Sequence, residues 1–529
     1  MLTRLSLSAV LALGSAAALA EEPRTGGTLN FTAPYGASFG TLDSHATPTI
    51  QDELFGLAIH RAMYKWDSEA SQPVLELATD VDVSEDGLTY TFHLRDNAVF
   101  HNGEPLTADD VIWSYQRLAD PANSLPGARN VSMIAGVEEF AAGDADEISG
   151  LRAIDDHTLE MTLSAPVDPG FNLFRMTTAI YPAGATDDAG FQTHPIGLGP
   201  FEFVEHLPGS RIVVEKFDDY YIDGQPYLDR VNILVMGDAS ARDVAFRNQE
   251  IDVSILGSTQ YAAYQSDASL SENILEVAEM FTRNVGFSAD VEPLADMRVR
   301  QAINHAIDSD LIIERLLRGK AYRATSWLPT TSPAFDESAS PYEYDPERAK
   351  ELLAEAGYAD GFSFTLTATQ NESWGIPVVE AIIPMLAHVG IQVTANPVEA
   401  SVLGQDVPGG NFEAYMWSNT SGPDPLAAME CFYSRTPQSA CNYTAFDNAE
   451  FDALWEQARD ERDPEARVDL LREANNLLQE QAPVWFFNYN KAVMAYQPWV
   501  HGLQANATEL AIQYYEDLWI DDSAPASRQ

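Results

Sequence analysis

The amino-acid sequence predicts an α/β protein, and three observations favour this class. Helix-start signals alternate with strand-like runs along the whole chain. No internal repeat and no long flexible linker interrupts this alternation. The 529 residues are 45% hydrophobic and 10% aromatic, which excludes a disordered acidic chain and is enough for about two to four domains with full cores.

The first half of the chain contains local signals for both strands and a helix. Tyr90, Phe92 and Leu94 alternate with polar residues, as in a strand that is buried on one face. A Thr-Ala-Asp-Asp run offers the two side chains of a capping box. The predicted elements are, in order, a strand at 27–31, a hairpin with its turn at 85–87, a helix starting at 107–110, and strands within 151–163 that break at residues 155–156.

The second half begins at residues 195–201, a Pro-Ile-Gly-Leu-Gly-Pro-Phe run that is too rich in breakers for a helix. Asp345 and Asp463 each precede a proline, and an N-cap followed by proline at the first helical position is a helix start. The predicted elements are strands at 211–215 and 231–236, two helices within 296–319, helices at 345–357 and 463–477, and a strand at 484–488.

The charge of the chain narrows the classes of partner. There are 80 acidic and 30 basic residues, for a formal net charge of −50. Nucleic acid and anionic membrane surfaces are therefore excluded as partners, because both need lysine and arginine. The acidic surface is typical of a soluble protein in variable salt, and selection of a cationic ligand is the alternative.

The N-terminal residues predict export. Arg4 precedes an uncharged apolar run at 5–19, and Ala18-Leu-Ala20 offers a small-x-small cleavage site. The run is shorter than the roughly 20 residues of a membrane span. We therefore expect residues 1–20 to be a signal peptide cleaved after Ala20, and the mature protein to be periplasmic without direct membrane insertion.

Side chains that carry chemistry form few patterns. Cys431 and Cys441 are the only cysteines, and an even count in an exported protein favours a disulfide over two unrelated buried thiols. The ten histidines are scattered, so no metal site is predicted, and no nucleotide or cofactor motif occurs. No common hydrolase motif is present, although residue counts alone leave a glycosidase open.

Four stretches of the chain together resemble one family, the solute-binding proteins of peptide/nickel/opine-type ABC importers (solute-binding protein family 5). They occur in the family's order, and the resemblance extends from residue 27 to about 505. The four stretches are residues 83–111, residues 195–201, residues 293–308 and residues 344–358.

The resemblance implies a two-lobe periplasmic-binding-protein fold with an additional α/β domain. The chain would cross between the lobes twice, at hinge strands near 281–287 and 484–488. The implied domains are a base lobe at 21–49, 192–278 and 489–529, an extra domain at 50–191, and a second ligand-binding lobe at 279–488.

The implied activity is binding and not catalysis, with no cofactor. The protein would act as a monomer. It would bind a peptide or peptide-sized solute between its lobes, close around it and dock on an inner-membrane ABC permease. An oligosaccharide, an opine or a metal chelate remains open as ligand. A secreted hydrolase, and a sensing or chaperone role without transport, are the alternatives of other classes.

The resemblance also implies where the ligand binds. Relatives that bind dipeptides hold the ligand's ammonium with an aspartate, and Ser421 stands at that position. They hold its carboxylate with an arginine, and Thr369 stands near that position. A zwitterionic dipeptide would lose charge-assisted hydrogen bonds worth roughly 1.5–3 kcal/mol each. The missing aspartate also weakens the case for a cationic ligand.

Aromatic and amide side chains remain, and they suit a sugar ring, an opine or a longer peptide held through its backbone. Some family members carry a disulfide in the loop that contains Cys431 and Cys441, so the resemblance strengthens that pairing. The predicted ligand-binding residues are Tyr35, Asn371, Trp374, Tyr415, Trp417, Asn419, Ser421 and Asp424.

Overall fold

The computed structural model describes residues 22–34, 38–46, 49–187, 190–371, 373–420 and 422–529. The predicted signal peptide, Tyr35 and Ser421 lie outside the described residues. Helices and strands are interspersed along the described residues, which agrees with the predicted α/β class, although the strands within residues 64–94 and within residues 201–235 follow one another without a helix between them. Within these ranges no helix is long and apolar enough to cross a membrane.

The described part of the chain contains strands that are mostly short and two that are long. The strands are β1 (Thr28–Ala33), β2 (Tyr64–Asp67), β3 (Gln72–Leu75), β4 (Ala78–Val83), β5 (Thr89–Leu94), β6 (Leu151–Asp155), β7 (Thr158–Thr162), β8 (Phe201–Leu207), β9 (Arg211–Lys216), β10 (Arg230–Val235), β11 (Val253–Ile255), β12 (Ile274–Phe287), β13 (Ala321–Arg323), β14 (Phe362–Ala368), β15 (Ile391–Pro397), β16 (Ala414–Thr420), β17 (Val484–Tyr496), β18 (Val500–His501) and β19 (Trp519–Ile520).

The helices cover the sheets and connect their strands. They are α1 (Ile50–Ile59), α2 (Ala108–Ala119), α3 (Val137–Ala142), α4 (Gly170–Leu173), α5 (Ala239–Arg247), α6 (Ser258–Gln265), α7 (Ala268–Ser271), α8 (Met297–Ala306), α9 (Ser309–Arg315), α10 (Pro346–Glu355), α11 (Ile376–His388), α12 (Ala400–Asp406), α13 (Pro425–Met429), α14 (Ala449–Asp460) and α15 (Pro464–Gln481).

One four-stranded sheet joins the N-terminal strand to the middle of the chain. Its order is β1-β10-β9-β8, and β1 pairs with β10 in parallel. Gly197 and Gly199 lie just before β8, and a Cβ at either would collide with backbone atoms at the end of α1. The breaker-rich run therefore brings two backbones together, which explains its glycines.

A second four-stranded sheet, ordered β4-β5-β7-β6, is antiparallel and lies between β1 and β8 in sequence. The predicted hairpin is present, with Gly87 at φ +68 in its turn and Phe92 and Leu94 buried. The predicted capping box is also present, since Asp110 Oδ2 accepts a hydrogen bond from the Thr107 N–H at 2.8 Å.

A seven-stranded sheet has the order β11-β17-β12-β16-β14-β15, with β13 also pairing with β17. Strands β12 and β17 have 14 and 13 residues and pair antiparallel over their length. Their register shifts between Ala278 and Thr282 and again between Arg283 and Asn284. They run from one large hydrophobic core to two others, so they carry the chain between two parts of the molecule.

Candidate ligand-binding site

Strand β16 presents three predicted ligand-binding residues on one face. Tyr415, Trp417 and Asn419 alternate with Met416, whose side chain is fully buried in the core on the opposite face. The strand pairs with β12, which places Trp417 opposite Asn284. Trp417 and Asn419 are half-buried, so part of each side chain faces solvent.

Trp417 belongs to an aromatic cluster next to this face. Its ring stacks on Tyr443 with centroids 6.1 Å apart, and it meets the edge of Tyr415 at the same distance. Tyr415 itself is only 2% exposed and also packs against Phe412. Tyr415 is therefore a buried residue that packs against Trp417, and Trp417 is the one of the two whose ring a solute could reach.

Tyr443 is absent from the residues that the sequence indicates. It follows the disulfide of Cys431 and Cys441, whose Cα atoms are 4.8 Å apart. The predicted pairing of these cysteines is confirmed. The disulfide fixes the end of the loop at Cys441, and Tyr443, two residues later, stacks on Trp417. The nearby cysteine was the one feature of the sequence that could have indicated Tyr443.

The loop after β14 approaches the same edge of the sheet. Strands β14 and β16 are parallel neighbours, so their carboxyl ends meet there. Asn371 Oδ1 accepts hydrogen bonds from the N–H groups of Ser373 and Trp374, at 2.8 and 3.2 Å, and shapes the turn into α11. Trp374 is half-buried against the core, and Thr369 is buried.

Asp424 lies at the start of α13. Its Oδ1 accepts a hydrogen bond from the Leu426 N–H at 3.0 Å and lies 3.9 Å from Arg467 Nη2. Desolvation raises the pKa of Asp424, and Arg467 opposes that shift only in part. The carboxylate therefore sits in surroundings that disfavour its charge.

Asp424 also lines a cavity of about 690 Å³. The cavity lies between the β4–β5 hairpin with residues 166–171 on one side, and the starts of α13 and α15 on the other. Of the predicted ligand-binding residues that the structure describes, only Asp424 is in its wall. The other described residues form a separate strip along β16 and the loop after β14.

The crossing strands carry a polar group that the sequence did not indicate. Glu279 on β12 accepts hydrogen bonds from the Leu510 N–H at 2.8 Å and from the Asn490 side chain on β17. Arg283 donates to Asn490 Oδ1 at 2.7 Å, and burial lowers the pKa of Arg283 to about 10. These partners are more than 200 residues apart in sequence, so no local pattern reveals them.

Comparison with known proteins decides the family. A family model described as "Bacterial extracellular solute-binding proteins, family 5 Middle" matches residues 72–440. The chain belongs to this family. The resemblance seen in the sequence is thereby confirmed, and with it the assignment as a solute-binding protein and not an enzyme.

Relatives in family 5 cover most of the chain. The glutathione-binding protein GsiB of Escherichia coli O1:K1 / APEC is 28% identical over 466 residues, which are 85% of this chain and 86% of GsiB. Heme-binding protein A of Haemophilus influenzae is 30% identical over 436 residues, which are 77% of each chain.

Among solved structures, the unliganded open form of MppA, a periplasmic murein tripeptide-binding protein, has a TM-score of 0.82 at 23% identity. The match covers 93% of this chain and 97% of MppA. The predicted two-lobe fold with an additional domain is therefore confirmed. Family 5 proteins bind peptides or small ligands and deliver them to ABC permeases.

Proposed function

We propose that this family 5 protein captures a peptide or peptide-sized solute in the periplasm and presents it to an inner-membrane ABC permease. The carboxyl ends of β14 and β16 carry the proposal, because they bring aromatic and amide side chains to one edge of the sheet. We further propose that the protein is exported after cleavage behind Ala20 and acts as a monomer without a nucleic-acid partner.

The proposed ligand contacts are the residues that the sequence indicates. Trp417 would stack on a planar or apolar part of the solute, with Asn419 and Asn371 as hydrogen-bonding neighbours and Tyr415 in support. Trp374, Asp424, Tyr35 and Ser421 complete the proposed set. The named ligands of the relatives, among them glutathione and a murein tripeptide, are of the size that this set would contact.

Closure is proposed to occur about the crossing strands. The base lobe would comprise 21–49, 192–278 and 489–529, and the second lobe 279–488, with the extra domain at 50–191. The register shift between Ala278 and Thr282 supports a hinge there, because unpaired backbone at that point resists bending less than a continuous ladder does.

Native mass spectrometry of the protein purified from periplasm tests the proposal. We expect a bound mass of peptide size that disappears when the protein is unfolded and refolded, since a closed binding protein retains its solute. Loss of uptake of that solute in a deletion strain would link binding to transport. A bound dipeptide would contradict the site assignment, and hydrolysis of the solute by the pure protein would contradict a binding role.

A further inference from the structure

The cavity between the extra domain and the second lobe is distinct from the β16 strip. Its volume of about 690 Å³ is within the range of small-molecule sites. Two separate stretches of the extra domain form one wall, and the second lobe forms the other. A molecule held there would contact both parts, which a site on one part alone would not achieve.

Much of the cavity wall is apolar and aromatic. Tyr90 donates a hydrogen bond to the Val167 carbonyl at 3.1 Å, which holds its ring along the wall. A chain segment or ring of about the size of an amino-acid side chain would bury apolar surface here. The apolar lining residues of the extra domain include Tyr64, Val81, Val83, Tyr90, Val167 and Phe171.

The charged groups in the wall do not cancel. Four carboxylates line the cavity (Glu85, Asp168, Asp424 and Glu461) against two guanidinium groups, Arg462 and Arg467. Formal charges therefore leave an excess of two negative charges, −4 + 2 = −2.

Two of these four carboxylates are the aspartates Asp168 and Asp424, which lie on opposite walls of the cavity. Asp168 Oδ1 accepts a hydrogen bond from the Gly170 N–H at 2.8 Å, and its side chain is exposed to the cavity. Desolvation raises the pKa of both Asp168 and Asp424, and the charge of Asp168 contributes to the shift of Asp424. Arg467, 3.9 Å from Asp424, offsets the desolvation of Asp424 only in part, so the pKa of Asp424 stays raised.

We propose that this cavity is a subsite for a cationic group attached to an apolar body, such as the ammonium or guanidinium end of a solute side chain, with Asp168 and Asp424 facing the cation. The proposal rests on the proposed solute-binding function and adds a ligand chemistry to it. Because the extra domain and the second lobe supply one aspartate each, an occupied subsite would also favour the closed arrangement of the lobes.

Small probes test the subsite without knowledge of the natural solute. Benzylammonium, benzoate and benzyl alcohol share one ring and differ in charge. Titrations of the full mature protein, followed by ligand-observed NMR, should show benzylammonium binding at least about tenfold more tightly than benzoate. Equal binding of the three probes, or no binding of benzylammonium, would overturn the proposal.

Matched variants locate the binding. Asp168→Asn should reduce the preference for benzylammonium to about threefold or less, whereas Asp360→Asn, an equal charge change at an exposed residue outside the cavity, should leave it intact. Arg467→Gln should tighten benzylammonium binding, since it removes the cation that now faces Asp424. Equal effects of Asp168→Asn and Asp360→Asn would overturn the proposal by showing that net charge alone acts.

The outcome is separable from that of the proposed function. A solute found by native mass spectrometry together with failure of the probes would leave the binding function standing and refute the subsite. Probe binding in a protein that carries no solute and supports no uptake would support the subsite and refute the proposed transport function.

Discussion

Trp417 is the residue whose role is most open to measurement. It is half-buried, and Tyr443 covers one face of its ring. We expect Trp417→Ala to weaken solute binding by about tenfold or more, because a stacked aromatic contact is lost. The free energy of unfolding of the empty protein should fall by only about 1–2 kcal/mol, because the lost pair contributes about 1 kcal/mol and a half-buried ring covers little further apolar area.

Trp455 provides the contrasting variant. It is 7% exposed, stacks on Tyr433 at 4.4 Å and donates a hydrogen bond to the Leu426 carbonyl. Trp455→Ala should therefore cost about 3–5 kcal/mol of stability. Calorimetric titration and thermal melts of both variants distinguish the two roles, and a large loss of stability in Trp417→Ala would identify Trp417 as core.

Two buried histidines predict acid sensitivity. Burial lowers the pKa of His45 to about 4 and of His60 to about 3. Arg117 adds to the shift of His45, and His101 adds to the shift of His60. The pKa of a histidine in the unfolded chain is about 6.5. Between these values the unfolded chain binds protons that the folded chain does not, so stability is complete above about pH 6.5 and falls as the pH is lowered.

Each of these histidines should cost about 2 kcal/mol at pH 5 relative to pH 7. Urea unfolding at the two pH values measures the loss. In His60→Leu the loss should shrink by about 2 kcal/mol, because one proton-binding group is removed from the unfolded chain. A pH dependence that is the same in the variant and the natural protein would refute this origin.

Sequence reasoning at the residue scale indicated Trp417 and Asp424 through their neighbours in the chain. It missed Asp168, Tyr443 and Arg467. Asp168 lies just before α4 and Asp424 just before α13, and the fold brings both into the wall of one cavity although they are far apart in sequence. No local pattern contains that arrangement, so no single sequence could have predicted it.

Elements whose signals are local were predicted well. The helices that begin after Asp345 and Asp463 do so, and both aspartates accept hydrogen bonds from backbone N–H groups of their first turns. The predicted end of the second helix at residue 477 was too early, because Leu478 is still fully buried in the core and the helix continues to Gln481. The sequence signals for a helix end are weaker than those for a start.

The length of strand β17 could not be predicted from the sequence. The sequence predicted residues 484–488, and the strand extends to Tyr496. Its second half pairs with β11 and with the start of β12, more than 200 residues earlier in the chain. Long-range pairing of this kind overrides local propensity, which is why the length of a crossing strand is not visible in its own residues.

The disulfide that closes the loop between Cys431 and Cys441 can be removed by substitution. Replacing both cysteines by serine should lower the free energy of unfolding by roughly 3 kcal/mol, the chain-entropy value for a loop of about ten residues. Solute affinity should fall as well, by a few fold, because Tyr443 follows this loop and stacks on Trp417. Urea unfolding with and without a reducing agent checks the first effect.

The natural protein under reducing conditions should match the double serine variant in both properties. A reducing agent that changes the unfolding of the double variant would point to a cause other than this bond. Unchanged stability in the variant would show that the folded loop is held by Phe432 and Tyr433, which are both buried in the adjacent core.

At the scale of the whole molecule, a buried network of ion pairs connects segments that are far apart in sequence. Arg61 lies 2.6 Å from Glu516 and 3.3 Å from Glu76, measured between side-chain N and O atoms, and all three are buried. Tyr221 donates a hydrogen bond to Glu76. Burial would raise the pKa of Glu76, but the cations of Lys65 and Arg61 outweigh it and hold the pKa below its usual value.

This network ties the proposed extra domain to the C-terminal segment and to residues after β9, so these parts should move together when the lobes close. Glu516→Gln removes one anion and leaves Arg61 buried with incomplete compensation, which costs about 3–5 kcal/mol. Urea unfolding measures this loss. Glu138→Gln, at an exposed position, should cost less than about 0.5 kcal/mol.

Hydrogen exchange shows where the loss falls. In Glu516→Gln, protection should decrease in α1, β2 and residues 500–520, while β14 to β16 in the proposed second lobe exchange as before, because local opening follows the weakened contacts. Faster exchange throughout the protein would mean that the network contributes to global stability alone. Unchanged exchange near Arg61 would show that the proposed extra domain and base lobe are held together by their shared apolar core and not by these ions.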